Sequence, residues 1–221
     1  MYDLSYIKTA VSNLNPQDNL EAQVKSALKA LKQIEPYTAF HSYRVGLIAK
    51  LIAQSMKLKH ALVDRIAAGG MLHDIGKSGV SLSALLKTSA LDKEEYEEIK
   101  RHPEIGADLA QNCPLFIELV PAILYHHERF DGAGYPLGLK GSAIPLEARI
   151  IAVADTYDAV TSTRSYRLAR SHQEALDILK SGSGSQFDPL VIDALFVCEQ
   201  QIDQYLQHLK SQFDLNQEEF I

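Results

Sequence analysis

The apolar positions of this chain fall into helical stripes almost from end to end. Between residues 16 and 35, Leu20, Val24, Ala27, Leu28, Leu31 and Ile34 recur at spacings of three and four, which puts them on one helical face. Residues 37–56 repeat the habit with Phe40, Val45, Ile48, Ala49 and Ile52, and residues 61–75 do so again. Pro36 either ends the first of these helices or starts the second. Asp92 and Glu95 form the pattern of a capping box at the head of a charged helix, DKEEYEEIKRH. His102-Pro103 breaks that helix and opens another at Pro103. Pro145 begins PLEARIIAVADTYDAVTS, whose length and the i, i+3 pair Asp155 and Asp158 favour a helix over a buried strand. Ser171 and Glu174 predict a second capping box, SGSGS at 181–185 closes that helix, and Asp188-Pro189 reads as the N-cap and first turn of a final one. Residues 201–221 read as a solvated helix with a frayed tail. No pair of alternating segments carries a hairpin turn, and no internal repeat is present. The predicted class is all-α, a bundle-like domain.

Composition narrows this only slightly. The chain has 221 residues, 46% of them hydrophobic, enough for one sizeable core. A net charge of −6 argues against a nucleic acid polymer or an anionic membrane surface as partner. The first residues lack a basic start and a long apolar run, and no stretch is long enough to span a bilayer. A cytoplasmic location is therefore expected, with the two cysteines, Cys113 and Cys198, reduced and buried.

Histidine changes the picture most. Five of the eight occupy distinctive places: His41 in HSYRV, His73 in LHDIGK, His102 in RHPEIG, and the adjacent His126 and His127 in HHERFDGAGYP. His41 shares a helical face with Val45, Ile48 and Ile52, so it points inward. Asp74 follows an apolar run and Asp155 lies within one. An ionised carboxylate in such a place costs several kcal/mol unless it is paired or binds a metal. Neutral imidazoles and carboxylates directed from several helices into one core are the donor set of a divalent metal site. His126 and His127 point about 100° apart on an ideal helix, so both serve one site only near a helix end or between two ions. A carboxylate can bridge two ions, and a two-metal site is the economical reading.

These motifs, in this order, resemble the HD-GYP domain, the cyclic di-GMP phosphodiesterase subgroup of the HD phosphohydrolase superfamily. LHDIGK resembles the His-Asp signature; HSYRV, RHPEIG, HHERFDGAGYP, ADTYDAVTSTRSYR and SQFDPLVIDALF complete the likeness over residues 36–198. The resemblance implies an HD-type helical bundle with a metal site in its core. Residues 1–35 would be a helical extension, and 199–221 a C-terminal helix and tail. It implies His41, His73, Asp74, His102, His126, His127 and Asp155 as ligands of two divalent ions, with Asp74 bridging them, iron the leading metal and manganese the second.

The implied reaction is hydrolysis of cyclic di-GMP by a metal-bridging hydroxide, giving pGpG and, in some relatives, GMP. Asp74 and Lys77 would be catalytic, with Lys77 on the phosphate or the leaving oxygen. Gly132 and Gly134 would permit positive φ and a close backbone approach to the ligand. Gly134 and Tyr135 would contact substrate, Pro136 would stiffen the loop, and Arg164 and Arg167 would clamp the second phosphate. Glu128, Asp131 and Asp158 would orient ligands and loop. Where some of the family carry a third-metal Glu four residues before the first His, this chain has Tyr37, so two ions are expected. SGVSLSALLKTSAL after HDIGK also departs from the usual proline- and glycine-shaped loop, which keeps 3′,3′-cyclic GMP-AMP open as a substrate. The rival readings are a metal-loaded cyclic dinucleotide sensor or interaction module and a general HD nucleotide phosphohydrolase. A homodimer or a signalling-protein partner is compatible with either.

Overall fold

A computed structural model of the chain describes residues 4–15, 17–163 and 168–215. Among these the regular structure is helical, with a lone bridge between Ser183 and Phe187. The elements are α1 (Leu4–Ser12), α2 (Leu20–Ile34), α3 (Pro36–Ser55), α4 (His60–Leu72), α5 (Leu82–Leu85), α6 (Lys93–Ile99), α7 (His102–Gln111), α8 (Val120–Tyr125), α9 (Leu146–Thr161), α10 (His172–Ser181) and α11 (Pro189–Leu215). Short 3₁₀ turns cover Ile75–Gly79, Pro114–Leu119 and Gly141–Ala143.

The helix ends follow local chemistry. Asn19 caps α2 by accepting from Ala22 N at 3.0 Å. Pro36 starts α3 rather than ending α2, and the Glu35 carboxylate accepts from Tyr37 N and Thr38 N. Both expected capping boxes form, Asp92 with Glu95 on α6 and Ser171 with Glu174 on α10. Asp188 accepts from Leu190 N at 2.9 Å at the head of α11 and pairs with Arg149 of α9.

Two apolar clusters fill the interior. One joins α3, α4, α9, α10 and α11 through residues such as Ile48, Ile52, Ile66, Ile151, Leu179, Leu195 and Ile202. The other joins α1, α2, α4, α7 and α8 through Ile7, Leu28, Leu31, Leu72, Leu109, Phe116 and Ile123. The segment before residue 36 thus contributes buried side chains to a shared core. The expected division at residues 198–199 falls inside α11, whose Ile202 and Leu209 are still buried. Residues 201–215 are accordingly helical but not merely a solvated arm. Cys113 and Cys198 are free and buried, as expected.

One contact brings the 3₁₀ turn after α4 onto α7. A Cβ built on Gly76 would lie 1.9 Å from the His102 carbonyl oxygen and 2.4 Å from Gly106 N, so only glycine lets these two backbones meet. The turn carries Lys77 and follows His73-Asp74; α7 opens with His102. Two parts of the site, distant in sequence, are set side by side by this packing.

Candidate metal centre

The seven expected ligand residues come together in one place. His41 projects from α3, and His73 and Asp74 follow α4. His102 opens α7, His126 and His127 follow α8, and Asp155 lies on α9. Their ligand atoms form three overlapping trios: His102, His126 and His127; His41, His73 and Asp155; and His73, Asp74 and His126. Asp74 Oδ2 lies 3.3 Å from His73 Nε2 and 3.7 Å from His41 Nε2, while its Oδ1 lies 3.3 Å from His102 Nε2. His41 Nε2 is 3.0 Å from Asp155 Oδ1. The adjacent His126 and His127 both reach the site because α8 ends at Tyr125, where helical geometry no longer holds their rings apart. Their ring centroids are 4.1 Å apart.

The backbone decides which nitrogen faces inward. His73, His102 and His126 each donate from Nδ1 to the carbonyl three residues earlier, Gly70, Ile99 and Ile123, each at 2.7 Å. That tautomer leaves Nε2 as a lone pair aimed at the centre. The Nε2 atoms of His102 and His126 face one another at 3.2 Å, and neither has a proton for the other. His73 Nε2 and Asp74 Oδ1 are buried with no hydrogen-bond partner. Facing lone pairs and orphaned buried acceptors fit a cation.

Electrostatics agree. Burial pushes the pKa of His102 down to about 3 and that of His127 to about 4, and drives His126 well below its usual range, so all three are neutral donors. Burial would raise Asp74 and Asp155, but the Lys77 ammonium holds Asp74, and His41 holds Asp155, below the usual carboxylate range. Burial would likewise lower His41, yet its hydrogen bonds to Asp155 and Asp158 hold it up at about 9. In the absence of metal, His41 carries the proton that balances the carboxylates.

Around these residues, Asp158 accepts from His41 Nδ1 at 2.7 Å, the contact that the expected orienting role requires. Lys77 Nζ reaches Asp74 Oδ2 at 2.6 Å. Buried Glu128 accepts from Leu137 N and Leu139 N, at 2.7 and 3.0 Å, and so pins the loop after the histidine pair. Asp131 accepts from Arg129 and Ala133 N and shapes the same loop, without touching a ligand atom.

One expectation needs correction. Gly132 has φ +85°, as expected, but Gly134 does not adopt positive φ. The close approach at Gly134 is to the protein's own backbone: a Cβ there would lie 2.4–2.6 Å from Arg129 N, Glu128 Cα and His127 O. Tyr135 has one ring face against His127, 4.8 Å away and 26° from parallel, so it braces one of the expected ligand histidines. Arg164 and Arg167 lie outside the described residues.

The sequence reading missed Arg44. Its guanidinium holds Asp158 through Nε at 2.6 Å and Nη2 at 2.9 Å, and Nη2 also reaches Ser162 Oγ at 3.0 Å. Arg44 stands one helical turn after His41, in the quoted HSYRV, and that i+3 spacing was the available signal. A cavity of about 190 Å³ opens beside the ligands, lined among others by Tyr96, His126, His127, Tyr135, Asp155 and Thr156.

A helical bundle with a His-Asp pair and a converging set of imidazoles has the donor set of a divalent-metal site. A family profile described as HD domain matches residues 17–191, and the chain belongs to that family. Its motifs place it with the HD-GYP group they resemble. It is 39% identical over 204 residues to a cyclic di-GMP phosphodiesterase response regulator from Xanthomonas campestris, covering 91% of this chain and 54% of that protein. It is 36% identical over 198 residues to a cyclic di-GMP phosphodiesterase from Thermotoga maritima, covering 88% and 54%. A 3′3′-cGAMP-specific phosphodiesterase from Vibrio cholerae is 37% identical over 178 residues, covering 80% of this chain and 38% of that protein. The chain thus spans about half the length of the curated relatives it matches. Among solved structures, an HD-GYP-type protein from Bdellovibrio bacteriovorus shares the fold with a TM-score of 0.62 at 20% identity, covering 87% of this chain and 70% of that one. Among the described residues no helix is long and apolar enough to cross a membrane.

Proposed function

We propose that the chain is a metal-dependent phosphodiesterase that hydrolyses cyclic di-GMP to pGpG. The observation that carries this reading is the convergence of seven donors, five of them buried and His127 and Asp155 half-buried, several with Nε2 lone pairs aimed at one another, beside an open cavity. The relatives named for cyclic di-GMP support the substrate.

Two divalent ions, iron first and manganese second, would be held by His41, His73, Asp74, His102, His126, His127 and Asp155. Tyr37 offers no carboxylate for a third, and its ring instead stacks parallel to His41 at 6.5 Å. Such ions would supply Lewis-acid charge neutralisation and an acidified water. Asp74, shared between the two halves of the ligand set, anchors it. Water adds to phosphorus, the bond to the 3′ oxygen breaks, and the displaced oxygen takes a proton. Lys77, held against Asp74 Oδ2 at 2.6 Å, neutralises charge that develops on the phosphoryl oxygens. Gly134 and Tyr135 form the adjoining loop wall, and Arg164 and Arg167 are proposed to hold the second phosphate. Asp158 and Arg44 keep the His41 ring aimed.

The test is anaerobic purification with metal analysis, then turnover of cyclic di-GMP by the wild type and by Asp74→Ala. About two metal ions per chain and pGpG from the wild type alone support the reading. Tight binding with full metal occupancy but no product supports the sensor reading, and faster turnover of 3′,3′-cyclic GMP-AMP reassigns the substrate.

A further inference from the structure

The cavity above the ligands is about 190 Å³, smaller than the roughly 300–1,000 Å³ typical of a site that encloses a drug-sized ligand. A phosphodiester and part of its ribose fit inside; the bases of a cyclic dinucleotide must lie on the rim. What the rim offers therefore decides how the bases are held.

Tyr96 of α6 stands on that rim and is 50% exposed. Other exposed tyrosines, Tyr6, Tyr37 and Tyr205, do not line this cavity. Tyr96 is held there by its surroundings. Lys100, one turn later, places its Nζ 5.4 Å from the Tyr96 ring centroid and 5.6 Å from that of Tyr135. On its outer side Lys100 pairs with Glu97 at 3.0 Å. One ammonium thus ties the two rings together across the cavity mouth. Tyr135 has spent one face on His127, whereas Tyr96 keeps an accessible aromatic surface.

We propose that Tyr96 is a nucleobase-stacking platform of the substrate site, with Lys100 as the positioning residue that fixes its angle. The inference rests on the cyclic dinucleotide reading above and adds the residue that grips a base. An aromatic face stacks any purine, so this platform supplies affinity rather than discrimination between guanine and adenine.

The test has two parts. In steady-state kinetics on cyclic di-GMP, Tyr96→Ala raises KM about tenfold, the scale of one lost base–aromatic stack, and leaves kcat within about twofold. Tyr96→Phe restores the wild-type KM and Tyr96→Leu does not, while metal content and melting temperature stay unchanged in all three. The chain contains no tryptophan, so Tyr96→Trp introduces a single indole. Titrating that variant, metal-free, with cyclic di-GMP quenches its emission if a guanine stacks on it. An unchanged KM in Tyr96→Ala with a functioning wild type, or an unquenched indole while calorimetry detects binding, overturns the platform and leaves the proposed function standing. A wild type that neither binds nor cleaves any cyclic dinucleotide overturns both.

Discussion

Arg44 grips both oxygens of Asp158, at 2.6 and 2.9 Å, and Asp158 in turn grips Nδ1 of His41. The chain of contacts runs from a partly buried guanidinium to a ligand histidine across two helices. Arg44→Ala leaves Asp158 buried against His41 and a long 3.4 Å contact from Ser162 Oγ, and is expected to cost about 3 kcal/mol of stability. Arg44→Lys keeps the charge but loses the fork and is expected to lie in between. Because the aim of His41 depends on Asp158, metal affinity falls roughly 10- to 100-fold in Arg44→Ala. Urea unfolding and competition with a chelating dye measure the two effects separately.

Asp74 contacts both halves of the ligand set, so its loss is not a partial one. Asp74→Asn is expected to lower turnover by about three orders of magnitude, the worth of several kcal/mol of Lewis-acid stabilisation. Metal analysis of the same sample should show reduced occupancy. Wild-type metal content with unimpaired turnover would remove Asp74 from the centre.

The metal-free protein is expected to be most stable near pH 6.5. His102 and His127 have folded pKa values of about 3 and 4, and His126 is depressed as well, all below the unfolded value of 6.5. The unfolded chain therefore binds more protons below pH 6.5, and stability falls as pH drops from there toward 4. His41 has the opposite sign: raised to about 9, it contributes stability that is complete below pH 6.5 and is lost as pH rises through 9. That loss is on the order of a few kcal/mol. Denaturant melts of chelated protein between pH 4.5 and 9.5 check it. Adding metal should abolish the alkaline decline, since the ion replaces the proton His41 would carry.

Gly76 permits the turn after Asp74 to touch α7. Gly76→Ala places a Cβ 1.9 Å from the His102 carbonyl, and backbone must move. The expected cost is about 3 kcal/mol with weakened metal binding, because His102 moves with α7. Thermal melting with and without metal reads both, and the loss should be larger in the metal-loaded form.

Removal of metal is itself a prediction. Ligand atoms that repel one another are held together by ions, so chelation should lower the melting temperature by several degrees and readdition should restore it. Calorimetry before and after dialysis against a chelator is the measurement.

Much of the site was legible because its polar residues violate the pattern they sit in. His41 interrupts an inward apolar stripe, Asp74 and Asp155 lie in apolar runs, and a histidine pair precedes a glycine-rich loop. Burial of such groups has few physical explanations, and metal ligation is the one that accounts for all of them. Capping boxes at Asp92 and Ser171 were legible for a different reason, since their contacts span only three residues.

Other features depend on residues far apart in the chain. Arg44 and Asp158 are 114 positions apart, and nothing local marks them as partners. Tyr96, Lys100 and Tyr135 meet only because α6 lies against the loop beyond α8. Gly134 was expected to permit positive φ, yet it does not adopt it, and the backbone of residues 127–129 packs where a Cβ would lie. Local pattern in this protein determined where helices start and which side chains turn inward, because propensity and capping act within a few residues. Which ligands face one another, which cation supports them and which ring guards the cavity were decided by packing, because those energies exist only when distant segments are brought into contact.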